Sequence, residues 1–224
     1  MNINLYGIGV GDAMKRLFIV GSGGFSKQVI EIVESINKQS KTFEIVGLID
    51  DNTEFLGKKV LNYEVVGTTD YLSNYSRDNE IYGVIAIANG YARKAISEKL
   101  SCVTWVNLIH PKTVVTKYIN MGVGNIICAG TVINPDCKIG NHCHINISNS
   151  FGHDVKLSNF TTIMPGCRIS GNVTIESYSM IGTGSTVIQG INIAQKTILG
   201  AGAVVIKDTL INGKYLGVPA KKRN

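Results

Sequence analysis

Gly21-Ser-Gly-Gly-Phe25 follows directly on the apolar run Leu17-Phe-Ile-Val20, and after it Val29, Ile30, Ile32, Val33 and Ile36 recur at helical spacing. A strand, a glycine turn and a helix in that order aim backbone N–H groups and a helix dipole at one spot. That is chemistry for holding an anion such as a phosphate. A second strand, Glu44 to Ile49, ends in Asp50-Asp51, near the separation at which nucleotide-binding folds place a carboxylate for a nucleotide's polar edge. A third, Tyr82 to Ala88, ends in Asn89-Gly90 and leads into a helix through Arg93 to Leu100, and a fourth is expected from Val103 to Ile109. Ligands of open parallel sheets lie at the carboxyl ends of strands, so Gly23, Asp50 and Asn89 are expected to converge. The glycine run is not a complete GxGxxG, and a tight turn that binds nothing is the alternative; the carboxylate pair favours binding. A dehydrogenase is disfavoured, because no second mononucleotide unit follows.

The chain changes character instead. From Val115 one residue in six is apolar without a break: Val115, Met121, Ile127, Ile133, Ile139, Ile145, Phe151, Leu157, Ile163, Ile169, Ile175, Ile181, Val187, Ile193, Leu199 and Val205. Two positions before the later members stand mostly compact residues, among them Cys137, Cys143, Thr161, Cys167, Ser179, Ser185 and Ala203. Each hexad supplies one short strand and one turn, and three hexads close a triangular coil of 18 residues. The aliphatic side chain points inward and stacks on its counterpart one coil away. Roughly five coils are implied.

Composition narrows the function class. The chain has 224 residues, 44% hydrophobic and 17% charged, which reads as globular and allows two small domains. Five cysteines without a CxxC argue against a disulfide framework and a zinc site, and those at 137, 143 and 167 fall in the compact inward register. No apolar run approaches the ~20 residues of a membrane span. The first residues lack the pattern of a signal peptide, so the cytoplasm is the expected compartment and residues 1–14 read as an extension. A net charge of +6 suits small polyanions, while no run of cations interleaved with aromatics points to nucleic acid.

The hexads look like the left-handed parallel β-helix of the hexapeptide-repeat acyltransferases. With the α/β unit before it, the whole chain from Lys15 to Arg223 resembles the bacterial sugar acetyltransferases of the sialic acid O-acetyltransferase (NeuD) and UDP-4-amino-sugar N-acetyltransferase (PglD) type. The resemblance rests on Gly21-Ser-Gly-Gly-Phe-Ser-Lys27, Leu48-Ile-Asp-Asp51, Ile87-Ala-Asn89, Asn107-Leu-Ile-His110, Gly152-His-Asp154, Gly171-Asn-Val173 and Gly217-Val-Pro-Ala220. It implies a Rossmann-like nucleotide-sugar-binding domain over residues 15–110 and a catalytic, acetyl-CoA-binding β-helix over 111–224. It also implies a homotrimer with acetyl-CoA held between neighbouring solenoids.

By that resemblance His153 is the general base, taking the proton from the sugar's amine or hydroxyl as it attacks the thioester. Asp154, where the amino-sugar branch has Glu, would orient the imidazole. Thr162 stands where relatives have a second histidine that contacts the acetyl group, and Gly171, Thr183 and Ala201 match positions lining the CoA groove. Gly23, Gly24, Phe25, Asp50, Asp51 and Ala88 match the nucleotide-sugar contacts, with Asn89 beside them. The Gly-Gly-Phe-Ser-Lys run is closer to the sialic acid branch and Asp50-Asp51 to the nucleotide-sugar branch; the carboxylate pair gives the latter the lead. The expected activity is acetyl transfer to the amino group of a nucleotide-linked 4-amino sugar. O-acetylation of sialic acid and a non-catalytic nucleotide-sugar-binding trimer are the alternatives. His110 reads as structural, and His142 and His144 fall on turn or outward positions of one hexad. Their spacing with His153 does not suit the metal triad of hexapeptide-repeat carbonic anhydrases, so no metal is expected.

Overall fold

The computed structural model describes residues 13–76 and 80–223, and its contacts divide the chain into two units, Met1–Pro111 and Lys112–Asn224. The extension expected over residues 1–14 lies, up to residue 12, outside the described residues.

In the first unit β1 (Lys15–Val20), α1 (Gly24–Gln39), β2 (Phe43–Ile49), β3 (Lys59–Val60), β4 (Tyr63–Gly67), α2 (Thr69–Tyr75), β5 (Tyr82–Ile85), α3 (Gly90–Lys99) and β6 (Thr104–Trp105) follow one another. The sheet order is β3-β4-β2-β1-β5-β6, parallel except for the β3–β4 hairpin. The chain runs outward from β1 through β2 and β4, then returns to the other side of β1 with β5. The carboxyl ends of β1, β2 and β5 therefore meet at a topological switch point, where open sheets bind their ligands. Below it Phe18, Val20, Ile49, Leu72, Ile81, Ile85, Leu100 and Val103 form a buried cluster.

Several elements depart from the sequence reading. The β3–β4 hairpin and α2 were not expected: the hairpin turns through Leu61 at φ 53° instead of a glycine, and α2 has only seven residues, too short to show a period. The expected strand Tyr82 to Ala88 stops at Ile85, and the one expected over Val103 to Ile109 splits into Thr104–Trp105 and Leu108–Ile109.

The second unit is a left-handed parallel β-helix of two-residue strands paired in register with a repeat of 18, as in Ile133↔Phe151, Phe151↔Ile169 and Ile169↔Val187. Its three faces carry the outward residues Val114, Val132, Ser150, Arg168, Thr186 and Val204 on the first, Asn120, Lys138, Lys156, Thr174 and Asn192 on the second, and Ile126, His144, Thr162, Met180 and Ile198 on the third. The inward series is buried from Ile127 to Val205, while Val115 and Met121 in the first coil are half-buried. The compact register is buried throughout and extends upstream to Asn125 and Thr131. Its polar members bond from one coil to the next: Asn125 Oδ1 accepts from Cys143 N–H at 2.7 Å and Asn149 Oδ1 from Cys167 N–H at 2.7 Å. Burial pushes the Cys128 thiol up to about 12 and also raises Cys137 and Cys167, so these are core residues and poor nucleophiles.

Candidate active site

Each corner of the solenoid must swing the chain onto the next face within a few residues, and a left-handed residue makes the turn. At the turn between Phe151 and Lys156 that residue is Asp154, at φ 61°. Phe151 is locked inside, so the next two side chains emerge on the edge: His153 is 61% exposed and Asp154 55%. Their backbone is pinned from both sides, Asp154 N–H bonding Pro135 O at 3.2 Å and Asn172 N–H bonding His153 O at 2.8 Å. His153 Nδ1 lies 2.7 Å from Asp154 Oδ2. With the carboxylate ionised, Nδ1 carries the proton and donates it to Asp154, which leaves the lone pair on Nε2.

The imidazole rests on the next coil. A Cβ on Gly171, one repeat after His153, would stand 2.8 Å from Nε2 and 2.9 Å from Cε1. A Cβ on Gly152 would run into the backbone N of Gly171. Two glycines thus let the coils close up and let the ring lie along the edge. Sequence reasoning placed Gly171 near CoA but missed this contact, which becomes visible when the chain is written in rows of 18.

Thr183 and Ala201 are exposed at a different edge, between the third and first faces, joined by Gly202 N–H to Thr183 O at 2.8 Å. One chain therefore sets them a full face away from His153 and Gly171. Thr162 is only 6% exposed and sits in register between His144 and Met180, so it offers little surface to a second molecule. His142 stands at a turn and His144 at an outward position, as expected, yet both are buried. His142 stacks on Phe160, and Phe160 on Tyr178, each at 5.5 Å between centroids, forming an aromatic row along the third corner. Among the described residues no group of three or more His, Cys, Asp or Glu is placed to hold a metal.

In the first unit the sheet ends bring together the glycine turn, Asp50 and the loop after β5. Gly21, at φ +105°, packs so closely on that loop that a Cβ would lie 2.8 Å from Ile87 Cγ1. Gly23 and Gly24 face open space, and no side chain caps α1; within its first turn Ser26 N–H and Oγ bond Gly23 O at 3.0 and 2.6 Å. Asp50 Oδ2 accepts from Ser22 N–H at 2.9 Å and Ser22 Oγ at 2.5 Å, and Oδ1 accepts from Asn52 N–H at 3.0 Å. Burial works to raise the Asp50 carboxyl, but the bonds from the Ser22 hydroxyl and the Asn52 and Ser22 amides outweigh it and hold it below its ordinary 3.8. Asp51 Oδ1 accepts from Thr69 N–H and Thr69 Oγ1, both at 2.8 Å.

The two carboxylates are thus braces: Asp50 ties the glycine turn to the end of β2, and Asp51 ties that end to the start of α2. Asn89 is the N-cap of α3, its Oδ1 accepting from Tyr91 and Ala92 N–H at 2.9 and 3.1 Å, while Phe25 is half-buried and Ala88 exposed. Sequence reasoning missed Ser22 and Thr69, whose parts depend on partners distant in the chain, and Arg93, whose burial no local pattern marks.

The chain matches the model of the PglD N-terminal domain over residues 16–100 and that of the GMPPB C-terminal domain over residues 122–223. No curated protein matches it. Among solved structures it is similar to perosamine N-acetyltransferase from Caulobacter crescentus in complex with CoA and GDP-perosamine. The identity is 29%, the TM-score 0.86, and the match covers 95% of this chain and 98% of that one. Forms of that enzyme with a histidine replaced by asparagine or by alanine are among the matches. The acetyltransferase domain of PglB from Neisseria gonorrhoeae, in complex with acetyl coenzyme A, is 28% identical at a TM-score of 0.85, covering 94% of this chain and all of that one (100%). WeeI from Acinetobacter baumannii is 26% identical at a TM-score of 0.83, over 94% of this chain.

Proposed function

We propose that this chain, a member of the PglD-type hexapeptide-repeat sugar N-acetyltransferases, moves an acetyl group from acetyl-CoA to the amino group of a nucleotide-linked amino sugar. The observation that carries the reading is the His153–Asp154 pair, 2.7 Å from Nδ1 to Oδ2, exposed on a solenoid edge.

Asp154 accepts the Nδ1 proton and keeps Nε2 of His153 free to act as base. The sugar's neutral amine attacks the thioester carbonyl, and the surplus proton on nitrogen passes to Nε2. Collapse of the tetrahedral adduct breaks the carbon–sulfur bond, and the proton moves from His153 to the departing sulfur. The products are an acetamido sugar and the CoA thiol, with the base regenerated.

We assign the acceptor to residues 15–110, with Gly23, Gly24, Phe25, Ala88 and Asn89 in contact and Asp50 and Asp51 holding the loops that make those contacts. We assign acetyl-CoA to residues 111–224, along Gly171, Thr183 and Ala201, with Thr162 at the margin. In the homotrimer we propose, the edge bearing His153 in one copy and the edge bearing Thr183 and Ala201 in another would line one groove; that a single chain sets the two edges a face apart supports this reading. Val114 and Val132, exposed on the face between these edges, fit such packing. Among the described residues no helix is long and apolar enough to cross a membrane, and the cytoplasm is the proposed compartment. Thiol release from acetyl-CoA, followed with UDP- and GDP-linked 4-amino sugars and with sialic acid, tests the reading. Turnover is expected with a nucleotide amino sugar and not with sialic acid.

A further inference from the structure

We infer that Arg93 is the positioning residue of the acceptor site: its buried guanidinium fixes the Ile87–Asn89 loop so that backbone donors face the nucleotide. This rests on the proposed function and adds to it a residue that touches no substrate.

Arg93 is 0% exposed and is the largest of the fully buried side chains. A guanidinium stays charged at any working pH, and taking it out of water is costly unless its donors are satisfied. Its Nη1 donates to Ile87 O at 3.0 Å and Ala88 O at 2.7 Å. Its own N–H bonds Asn89 O at 3.1 Å. One residue on the first turn of α3 therefore holds three successive carbonyls of the loop that precedes the helix.

The consequence follows from peptide geometry. In a trans peptide the N–H points opposite to the C=O. Turning the Ile87 and Ala88 carbonyls toward Arg93 turns the Ala88 and Asn89 N–H groups to the other side of the loop. The loop leaves the carboxyl end of β5, beside the ends of β1 and β2. Here the chain still bonds the sheet, since Ala86 N–H bonds Val20 O at 2.7 Å, and the carbonyls of Ile87 and Ala88 then turn to Arg93. The strand ends at Ile85, opposite the last residue of its neighbour β1, Val20.

The position of the loop is passed on. Gly21 has room for no side chain against Ile87, and Gly21 N–H bonds Ile49 O at 2.7 Å. A shift of Ile87 would push on the glycine turn that Ser22 and Asp50 brace. Arg93 thus sets both loops for an oxygen-rich ligand, the diphosphate and base of a nucleotide sugar.

The test compares the parent with Arg93→Met, similar in length but without charge, and with Arg93→Lys. The readouts are KM for the nucleotide amino sugar, KM for acetyl-CoA, kcat, and calorimetric titration with UDP and with GDP alone. Arg93→Met should raise the acceptor KM roughly tenfold or more, the scale set by hydrogen bonds to a charged group. It should weaken nucleoside diphosphate binding in proportion and leave kcat and the acetyl-CoA KM within about twofold. Arg93→Lys should fall between the two. A folded Arg93→Met protein with the parent's acceptor KM overturns the inference, as does an equal rise in both KM values. Should Arg93→Met lose the native circular dichroism spectrum, Arg93→Lys carries the test alone, and a parent-like acceptor KM in it overturns the inference. A parent that neither binds a nucleoside diphosphate nor acetylates any nucleotide amino sugar sinks the proposed function itself, and this inference with it.

Discussion

The imidazole of His153 lies against the backbone of Gly171, one coil further along the edge, where a Cβ would stand 2.8 Å from Nε2. The orientation of the proposed base therefore depends on two neighbours: Asp154, which holds Nδ1, and a glycine that leaves space for the opposite side of the ring.

Gly171→Ala separates this effect from backbone strain, because Gly171 is not among the left-handed positions and alanine can adopt its conformation. The methyl group should push the ring from its bond with Asp154. Displacement of a reacting group by about 1 Å can cost 10²-fold in rate. We expect kcat to fall by about that factor while the melting temperature and acetyl-CoA affinity change little. A variant with parent kcat would show that the ring's resting place is unimportant.

A groove shared between copies makes a prediction about mixtures. His153→Ala removes the base from one edge, and Ala201→Trp fills the other with bulk at an exposed turn. Each variant alone should lose about 10²-fold or more in activity. Co-expressed, they should form mixed trimers in which roughly a quarter of the sites pair an intact His153 edge with an intact Ala201 edge. Activity recovered on mixing supports the shared site. Mixtures no more active than their components would place both rows in one chain's site.

The hexad register from Ile127 to Val205 was readable because every coil repeats the same demand: one aliphatic side chain inside, one compact residue two positions earlier. Strand β1, helix α1 and the glycine turn were readable for a similar reason, as each is a local pattern. The braces were not. Ser22 and Asp50 are 28 residues apart, Asp51 and Thr69 are 18 apart, and nothing local marks them as partners. Nor does the sequence distinguish a fully buried Arg93 from an ordinary exposed cation of a helix. Asp50-Asp51 read as ligand contacts because a carboxylate pair suits a ribose or base; that their oxygens also accept from Ser22, Asn52 and Thr69 was not legible.

The Asp50 brace predicts a pH dependence of stability. Its carboxyl is held below 3.8 in the folded chain, so the folded state binds the proton less readily than the unfolded state. The stabilisation is therefore complete above the ordinary carboxylate range and is lost as pH falls through the folded value. Asp50→Asn retains one acceptor oxygen and cannot serve both Ser22 and Asn52. It should lower the melting temperature of the N-terminal unit at pH 7, with the difference from the parent narrowing at about pH 4 and below. Scanning calorimetry at both pH values checks this, and a gap that widens on acidification would contradict it.

The central claim is that His153 is the base that transfers the proton, and the most direct measurement is the kcat of His153→Ala beside its affinity for acetyl-CoA. General-base catalysis contributes about 10²–10⁴-fold, so kcat should drop within that range while calorimetry finds acetyl-CoA binding intact. Asp154→Asn should cost less, since it leaves the imidazole in place and removes only the carboxylate that orients it. A His153→Ala protein that folds, binds acetyl-CoA and turns over nearly as fast as the parent would contradict the account.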